Sequence, residues 1–549
     1  MKLVNRSVLT VLMLSLIFSA LATSSYRVVR AQAPASPGGP TQPPLPSISP
    51  DRKAYIDANR ISDPQKKIEA LEKFLADFPR STMLYIVHGS LMSALIKAQP
   101  EQREKILLHA QQAIDGAPEF SRKQMCNQIA TDLIEAGILD KAEEFAAKGL
   151  AIAETEQSKA MRQSRASYQT IIGRIYFKKG KTKEAEKAFK AAYTALPFAE
   201  ASATTLRTAA LGLAEIAEKE GHYDRALTYL SAAAISGRMD APGRARLETA
   251  FRKTHQDSLA GLDEMLDSKY EKEFPSPINV ESYKPTSSRT ERTVLSEVFT
   301  GAGCPPCVAA DLAFDAFLER YRNKDVIVMM YHQHIPVPDP MTNPSTQARA
   351  KYYNVRGVPS FAIDGDSSQS GGGPRNAARE VYDRLSPVIE KQLEAAAEAE
   401  IKLNADVVGA VVKVKANVAN VKRDSRELRL QLALVEDGLR FNGENGIRFH
   451  PMVVRSLAGE NAGGFALDQS RLAPVEWQFD LKAIAEELKK HLDDFEKSRI
   501  DDKYTFSEKK HVINQGNLSV VAFVQDDKTR QVLQTVSLKI GSLPTVSTR

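Results

Sequence analysis

The stretch TVLSEVFTGAGCPPC, residues Thr293–Cys307, joins an apolar, strand-like run to a Gly-rich turn and two cysteines three positions apart. A turn between a strand and a helix places a cysteine near unpaired helical N–H groups, which favour the thiolate. We expect Cys304 to be the exposed first residue of the helix and the attacking thiol. Cys307, one turn further, is then the resolving thiol.

Strand and helix signals alternate after this stretch. Strand-like runs occupy Thr293–Phe299, Asp325–Tyr331 and Val358–Ile363, and helical patterns occupy Cys307–Tyr321 and about Pro344–Tyr353. The run DVIVMMY is apolar throughout, which is typical of a buried parallel strand. The sequence therefore predicts a β-α-β-α-β unit with the cysteines at the start of its first helix.

This order of elements, together with EVFTGAGCPPC, resembles the thioredoxin-like superfamily, in particular its bacterial extracytoplasmic thiol-disulfide oxidoreductases. Gly357-Val358-Pro359 lies where that family has a cis-proline opposite the dithiol. The resemblance implies a thioredoxin-like α/β fold, catalysis by Cys304, Cys307 and Pro359, and substrate binding by Val358 and Gly357. It implies no cofactor beyond a redox-active disulfide, Cys304–Cys307.

The same resemblance makes Glu297 a candidate proton shuttle, with an exposed or salt-bridged strand residue as the alternative. Glu297 is one position away from the family's buried acid, and Gly303 replaces an aromatic residue before the first cysteine. Pro305 and Pro306 offer no N–H to the Cys304 sulfur, so we expect a moderately acidic thiol and a couple that leans towards a reductant.

Metal binding is the competing chemistry for the two cysteines. His332 and His334 follow the neighbouring strand, and together with Cys304 and Cys307 they offer four zinc ligands. A CxxC pair completed by HxH is not a usual structural zinc spacing, so we predict no metal site. The two histidines are then polar loop-edge residues near the substrate groove, and the loop around Asp339 forms one wall.

The N-terminus predicts export. Residues 1–22 combine Lys2 and Arg6 with an apolar run and a small-x-small cleavage site, and a second candidate site extends the signal peptide to 33. An uncleaved membrane anchor is the alternative. Residues 23–50 form a Pro- and Ser-rich linker. We therefore expect a periplasmic or otherwise extracytoplasmic protein, with membrane contact only if the signal stays uncleaved.

Residues 51–270 have a helical pattern with a degenerate repeat that resembles the tetratricopeptide repeat. Gly137, Gly180 and Gly221 mark the turns between helices. Stacked helix pairs form a solenoid, which favours partner binding, with a spacer as the alternative. The repeat positions in the clearest copy are Gly173, Tyr176, Gly180, Ala185, Phe189, Ala192 and Pro197.

Residues 271–292 form a second linker before the predicted thioredoxin-like domain at 293–398. From 399 to 549 the apolar period becomes two, with seven short strands and one helix at Leu481–Lys497. This spacing favours an immunoglobulin-like β-sandwich that serves as a docking module or a structural cap. The chain is thus predicted to be multidomain: an all-α solenoid, a central α/β domain and a C-terminal all-β domain.

Composition excludes some classes of function. A formal charge of +6 over 549 residues gives no reason to expect a nucleic-acid partner. Three cysteines are too few for a disulfide scaffold, and Cys126 is predicted to be a buried apolar residue. We expect an enzyme, an exported thiol-disulfide oxidoreductase, whose partners are proteins with thiols or disulfides and a redox partner that recharges the dithiol. The alternative is a non-catalytic extracytoplasmic binding or assembly protein that uses the central domain as a scaffold.

Overall fold

The structure, a computed structural model, describes residues 48–155, 158–322, 324–500 and 504–540. The predicted signal peptide and nearly all of the first linker lie outside these residues. The chain divides into two compact units. Among the described residues, one unit is helical and comprises 48–233 and 246–260, and the other comprises 234–245 and 261–540. Within the described ranges, no helix combines the length and apolar character needed to cross a membrane.

The helical unit consists of successive α-helices, which confirms the predicted N-terminal helical region. Gly137, Gly180 and Gly221 adopt left-handed φ angles of 69°, 73° and 76°, each two residues after the last residue of a helix. Glycine takes this conformation without the steric cost of a Cβ atom, so it ends a helix and starts the turn. The helices are α1 Pro50–Asn59, α2 Pro64–Asp77, α3 Leu84–Ala98, α4 Arg103–Gly116, α5 Glu119–Glu135, α6 Leu139–Ala153, α7 Lys159–Lys178, α8 Thr182–Tyr193, α9 Ala203–Lys219, α10 Tyr223–Ile235 and α11 Ala241–Thr254.

Small residues let neighbouring helices approach closely. A Cβ atom on Gly173 of α7 would lie 2.6 Å from the ring of Phe189 in α8, and one on Gly212 of α9 would lie 2.5 Å from the same ring. Phe189 is 2% exposed, so its ring fills the space that both glycines leave. Cys126 is buried in α5 with a free thiol, as predicted. The assignment to tetratricopeptide repeats stays a prediction.

The second unit is rich in β-structure. Its first helices are α12 Leu262–Glu273 and α13 Cys307–Tyr321, followed by α14 Pro344–Tyr352, α15 Ala378–Glu394 and α16 Leu481–Ser498. Its strands are β1 Val294–Thr300, β2 Val326–His332, β3 Ser360–Ile363, β4 Glu400–Val408, β5 Val411–Ala419, β6 Leu428–Glu436, β7 Leu439–Arg440, β8 Phe449–His450, β9 Val453–Leu457, β10 Phe465–Ala466, β11 Val475–Asp480, β12 Leu518–Asp526 and β13 Val532–Lys539.

The predicted β-α-β-α-β order is present. β1 pairs in parallel with β2, and β3 pairs with β1 in the antiparallel sense. Helices α13 and α15 cover one face of these strands, where Phe314 and Phe317 pack with Leu385. The opposite face packs against residues from the C-terminal strands, including Val435 and Phe523. The central strands are therefore buried on both faces.

The predicted immunoglobulin-like sandwich is not what the C-terminal strands form. β9 pairs with β2, and the sheet continues in the order β13-β12-β6-β9-β2-β1-β3, with β10 beside β6. The reason is burial, since β12 is buried along its whole length and β6 along nearly all of it. A strand of a two-sheet sandwich faces the core on one side only, so strands buried on both faces do not fit that architecture. A three-stranded sheet, β11-β5-β4, covers part of this larger sheet through the apolar contacts of Val412, Val414 and Leu432.

The two ends of the large sheet meet at a buried ion pair. The Val532 N–H at the start of β13 donates to the Asp364 carbonyl directly after β3, over 3.0 Å. The Arg292 guanidinium donates to the Asp364 carboxylate at 2.8 Å and to the Val532 carbonyl at 2.6 Å. The central and C-terminal segments therefore share one core, while the predicted domain limits stay predictions.

Candidate functional site

Cys304 and Cys307 are joined by a disulfide bond. Helix α13 begins at Cys307, with Pro306 as its N-cap, so the prediction that Cys304 is the exposed first helical residue is wrong. The Cys304 N–H donates to the Gly301 carbonyl at 3.0 Å, which holds Cys304 in the turn before the helix. Cys304 is 1% exposed and Cys307 is 0% exposed, while the Pro305-Pro306 pair between them is exposed.

The segment around Pro359 lies against the disulfide. The Val358–Pro359 peptide bond is cis, and the Val358 carbonyl oxygen lies 3.6 Å from the Cys304 sulfur. Gly372 closes the other side, because a Cβ atom there would lie 2.6 Å from Cγ of Pro359 and would overlap the Pro306 carbonyl. The structure thus brings Val358 and Pro359 to the cysteines, as predicted. Their role in catalysis or substrate binding stays a prediction.

Gly357, which precedes Val358, was predicted to bind substrate together with it. It is half-buried, and a Cβ atom added to it would meet no other atom within 4 Å. Backbone space is therefore left open beside Val358. An alanine at this position would therefore be accommodated.

The buried carboxylate of Asp339 holds the turn that carries Cys304 in place. Oδ2 of Asp339 accepts hydrogen bonds from the Ala302 N–H at 2.6 Å and from Nδ1 of His332 at 2.9 Å. Burial acts to raise the pKa of Asp339, but the charge and hydrogen bond of His332 and two backbone N–H groups outweigh it and hold this pKa below its usual value. Asp339 is therefore an ionised anchor of the turn.

The C-terminal region supplies a second anchor. Nδ2 of Asn445 donates to the carbonyls of Gly301 at 3.3 Å and Cys304 at 3.4 Å, and its N–H donates to the Ala302 carbonyl at 3.1 Å. Asn445 lies between β7 and β8, about 140 residues from the cysteines, so no local pattern connects the two segments.

His332 and His334 are not polar residues at a groove edge, and that prediction is wrong. His332 is 0% exposed and bonds to Asp339. The ring of His334 stacks on Phe495 of α16 with centroids 3.9 Å apart, and its Nδ1 accepts the Asp339 N–H at 3.0 Å. Both rings are thus drawn into the packing by α16 and the Asp339 loop. Across the described ranges, His, Cys, Asp and Glu side chains form no group of three or more that would hold a metal ion.

Glu297 lies away from the cysteines. Its neighbours Leu295 and Phe299 belong to the core on the sheet face opposite α13, so its side chain points away from the helix that Cys307 begins. It is 0% exposed and accepts hydrogen bonds from Arg349 at 2.6 and 2.8 Å and from Tyr353 at 2.7 Å. This arrangement is the salt-bridged alternative, and proton transfer by Glu297 stays an untested prediction.

A second buried acid, Asp311, was not predicted from the sequence and lies in the helix that begins at Cys307. Asp311 follows Cys307 by one helical turn and is 4% exposed. The hydroxyl of Thr300, at the end of β1, donates to both carboxylate oxygens at 2.7 and 3.0 Å. Burial raises the pKa of Asp311 to about 7. The i, i+4 spacing from the helical cysteine was the sequence signal that could have identified it.

Comparisons with known proteins give one family match. Residues 346–543 match a family model described as "Outer membrane protein Omp28". No curated protein matches the chain. Among solved structures, HBP35 of Porphyromonas gingivalis is 15% identical and covers 47% of this chain and 79% of its own, with a TM-score of 0.32. At that score the likeness carries no argument about fold or function.

The family match corrects the interpretation of the sequence. The assignment to the thioredoxin-like superfamily is wrong, because the family model that matches is that of Omp28. The function drawn from that assignment, an exported thiol-disulfide oxidoreductase, is therefore withdrawn together with its thioredoxin and oxidoreductase descriptors. The predicted extracytoplasmic location agrees with the match.

Proposed function

We propose that this chain acts outside the cytoplasm at the outer membrane or cell surface, and that Cys304–Cys307 is a redox-active disulfide which reacts with thiols of protein partners. The family match supports the location, and it spans the segments of Val358, Gly372 and Asn445 that contact the cysteine turn. A position on the periplasmic side of the outer membrane fits a chain with a basic start and an apolar N-terminal run.

The observation that carries the proposal is the disulfide beside the Val358 carbonyl. A purely structural disulfide does not need an accessible surface beside it. Here the Pro305-Pro306 pair between the two cysteines is exposed, and Val358 is half-buried. The Val358 backbone offers hydrogen-bonding groups next to the sulfur, and an extended partner segment would pair with them. Partners are therefore polypeptides, and the helical unit offers further surface for binding them.

The reaction balances as a two-electron exchange. A partner thiolate attacks the Cys304 sulfur, the Cys304–Cys307 bond breaks, and Cys307 leaves as a thiolate that takes up a proton. A second partner thiol then displaces Cys304, so the partner gains a disulfide and the protein gains two thiols. Catalytic turnover stays a prediction, as does the reductant or oxidant that resets the pair.

At the level of fold, we propose a modified form of the predicted architecture. Residues 293–398 provide a thioredoxin-like α/β segment that the C-terminal strands extend, instead of a domain beside a separate sandwich. The β1-β2-β3 pairings, α13 and α15 on one face, and the shared sheet support this description.

The test is redox titration of the folded, exported protein in glutathione buffers, with alkylation and mass measurement of the thiols. We expect reversible conversion between zero and two reactive thiols without loss of secondary structure, and the same result for Cys126→Ala. Cys307→Ala should trap a partner protein as a mixed disulfide in the cell envelope, whereas Cys304→Ser should not. A pair that stays oxidised until the protein unfolds would refute the proposal. Insulin reduction by the wild type and by Cys304→Ser tests turnover separately.

A further inference from the structure

Helix α13 aligns the second cysteine with two acids. Cys307, Asp311 and Asp315 follow one another at intervals of four residues within Cys307–Tyr321. Side chains four apart on a helix are neighbours on one face, roughly 5–6 Å apart at Cβ. The three residues therefore form a row that leads from the disulfide along the helix.

Asp311 is enclosed by groups that tune its protonation. Burial is the main cause of its raised pKa, the Thr300 hydrogen bonds and the charge of His332 oppose it, and Asp339 adds to it. Because its pKa is raised to about 7, Asp311 is able to hold a proton near neutral pH, which an ordinary aspartate is not. It is thus a proton donor of suitable strength one turn from Cys307.

Asp315 connects this row to open space. It lines two cavities of about 420 and 280 Å³, and the larger is also lined by the exposed residues Asp437 and Gly438. Its Oδ1 is buried and has no hydrogen-bond partner in the described part of the chain. Burial raises the pKa of Asp315 to about 8, Asp311 and Asp437 add to the effect, and Arg375 opposes it.

We propose that Asp311 and Asp315 form a proton path between Cys307 and the cavities at the far end of this row. The inference rests on the proposed redox activity of Cys304–Cys307. When a partner thiolate breaks the disulfide, the leaving Cys307 thiolate takes the proton of Asp311. Asp311 regains a proton from Asp315, which regains one from water in the cavity. The proton that the first partner thiol released to solvent is thereby replaced, and the two-electron reduction of the cysteine pair is complete when a second partner thiol displaces Cys304 and passes it its proton. Reoxidation runs the path in reverse.

The test is the rate of disulfide reduction by dithiothreitol between pH 5.5 and 9, divided by the concentration of its thiolate. For the wild type we expect this normalised rate to rise about tenfold or more as pH falls, with a midpoint near 7, because a positioned general acid then assists the leaving thiolate. Asp311→Asn should vary less than twofold over the range. Thr300→Val should move the midpoint to higher pH, since it removes hydrogen bonds that favour the carboxylate.

Asp315→Asn tests the route to the cavity. It should lower the rate at pH 6, leave the rate at pH 9 unchanged, and move the midpoint to lower pH because a neighbouring carboxylate is gone. The matched control, Asp383→Asn on the exposed face of α15, should keep the wild-type profile. If Asp311→Asn keeps the wild-type dependence of the rate on pH, the inference is overturned. If Asp315→Asn keeps it, the part of the proton path through Asp315 is overturned. Absence of reduction at every pH in folded wild type instead refutes the proposed function.

Discussion

Removing one partner of the buried ion pair between Glu297 and Arg349 should strongly destabilise the β-rich unit. Nε and Nη2 of Arg349 donate to the two carboxylate oxygens at 2.6 and 2.8 Å. The side chains are 4% and 0% exposed for Arg349 and Glu297. Arg349→Met would leave the carboxylate in the core with Tyr353 as its main donor. Water cannot solvate it there, so the carboxylate would remain in the core without a cationic partner.

We expect Arg349→Met to lower the free energy of unfolding by roughly 3–5 kcal/mol, the usual cost of breaking a buried pair. Arg379→Met is the matched control, because its pair with Asp383 is 58% and 54% exposed. Exposed pairs contribute only about 0.2–1 kcal/mol. The double variant Glu297→Leu/Arg349→Met should lose less than Arg349→Met alone, since both charges then leave the core.

Urea unfolding followed by Trp477 fluorescence measures these changes. Trp477 is the chain's single tryptophan and lies in β11 of the same compact unit as the ion pair. A loss below about 1 kcal/mol for Arg349→Met, within the range of an exposed pair, would refute the argument. Glu297→Gln also tests the shuttle prediction. As an ion-pair partner, Glu297 should leave the pH dependence of disulfide reduction unchanged when replaced, whereas a proton shuttle should not.

Two further predictions concern packing and pH. Gly372→Ala should destabilise the β-rich unit by about 1–3 kcal/mol, because the added Cβ would overlap the Pro306 carbonyl. Gly357→Ala should change the stability by no more than about 0.5 kcal/mol, because its Cβ would meet no other atom. Thermal unfolding of the two variants measures the difference, and equal losses of stability would contradict the prediction. Burial lowers the pKa of His334 to about 4, so its contribution to stability is present above the unfolded pKa of about 6.5 and is lost as pH falls towards 4. His334→Phe should therefore reduce the decline in urea midpoint between pH 7 and pH 5, and an unchanged decline would exclude this cause.

Elements with a strong local period could be predicted from the sequence. Helix α13 has the predicted limits, Cys307–Tyr321, and α16 differs by one residue at its end. The turns at Gly137 and Gly180 were correct because glycine alone takes their left-handed conformation at no steric cost. In these cases spacing and residue type within about 20 residues determine the result.

The partners of the strands could not be predicted in the same way. The period of two identifies β6 and β12 as strands, but it does not say whether they close a sandwich or extend the β1-β2-β3 sheet. Their uninterrupted apolar character, LALV and VVAFV, was the signal for burial on both faces. At the site, the contacts of Asn445 and Asp339 with the Cys304 turn depend on chain segments that meet only after folding.

Three glycines explain how a disulfide on a turn becomes fully buried. A Cβ atom on Gly303 would overlap Val337, one on Gly372 would overlap the Pro306 carbonyl, and one on Gly443 would overlap the Ala302 carbonyl. Gly303 belongs to the cysteine turn itself and makes room for the Val337 side chain, whereas Gly372 and Gly443 come from two other segments whose backbones approach the turn more closely than a side chain would permit. The sulfur atoms are consequently closed to bulky reagents, and reaction with a partner requires a narrow, extended segment beside Val358 or a displacement of the Gly372 or Gly443 segment. The motif CPPC identifies the reactive atoms, but these two glycines, distant in the sequence, determine what can reach them.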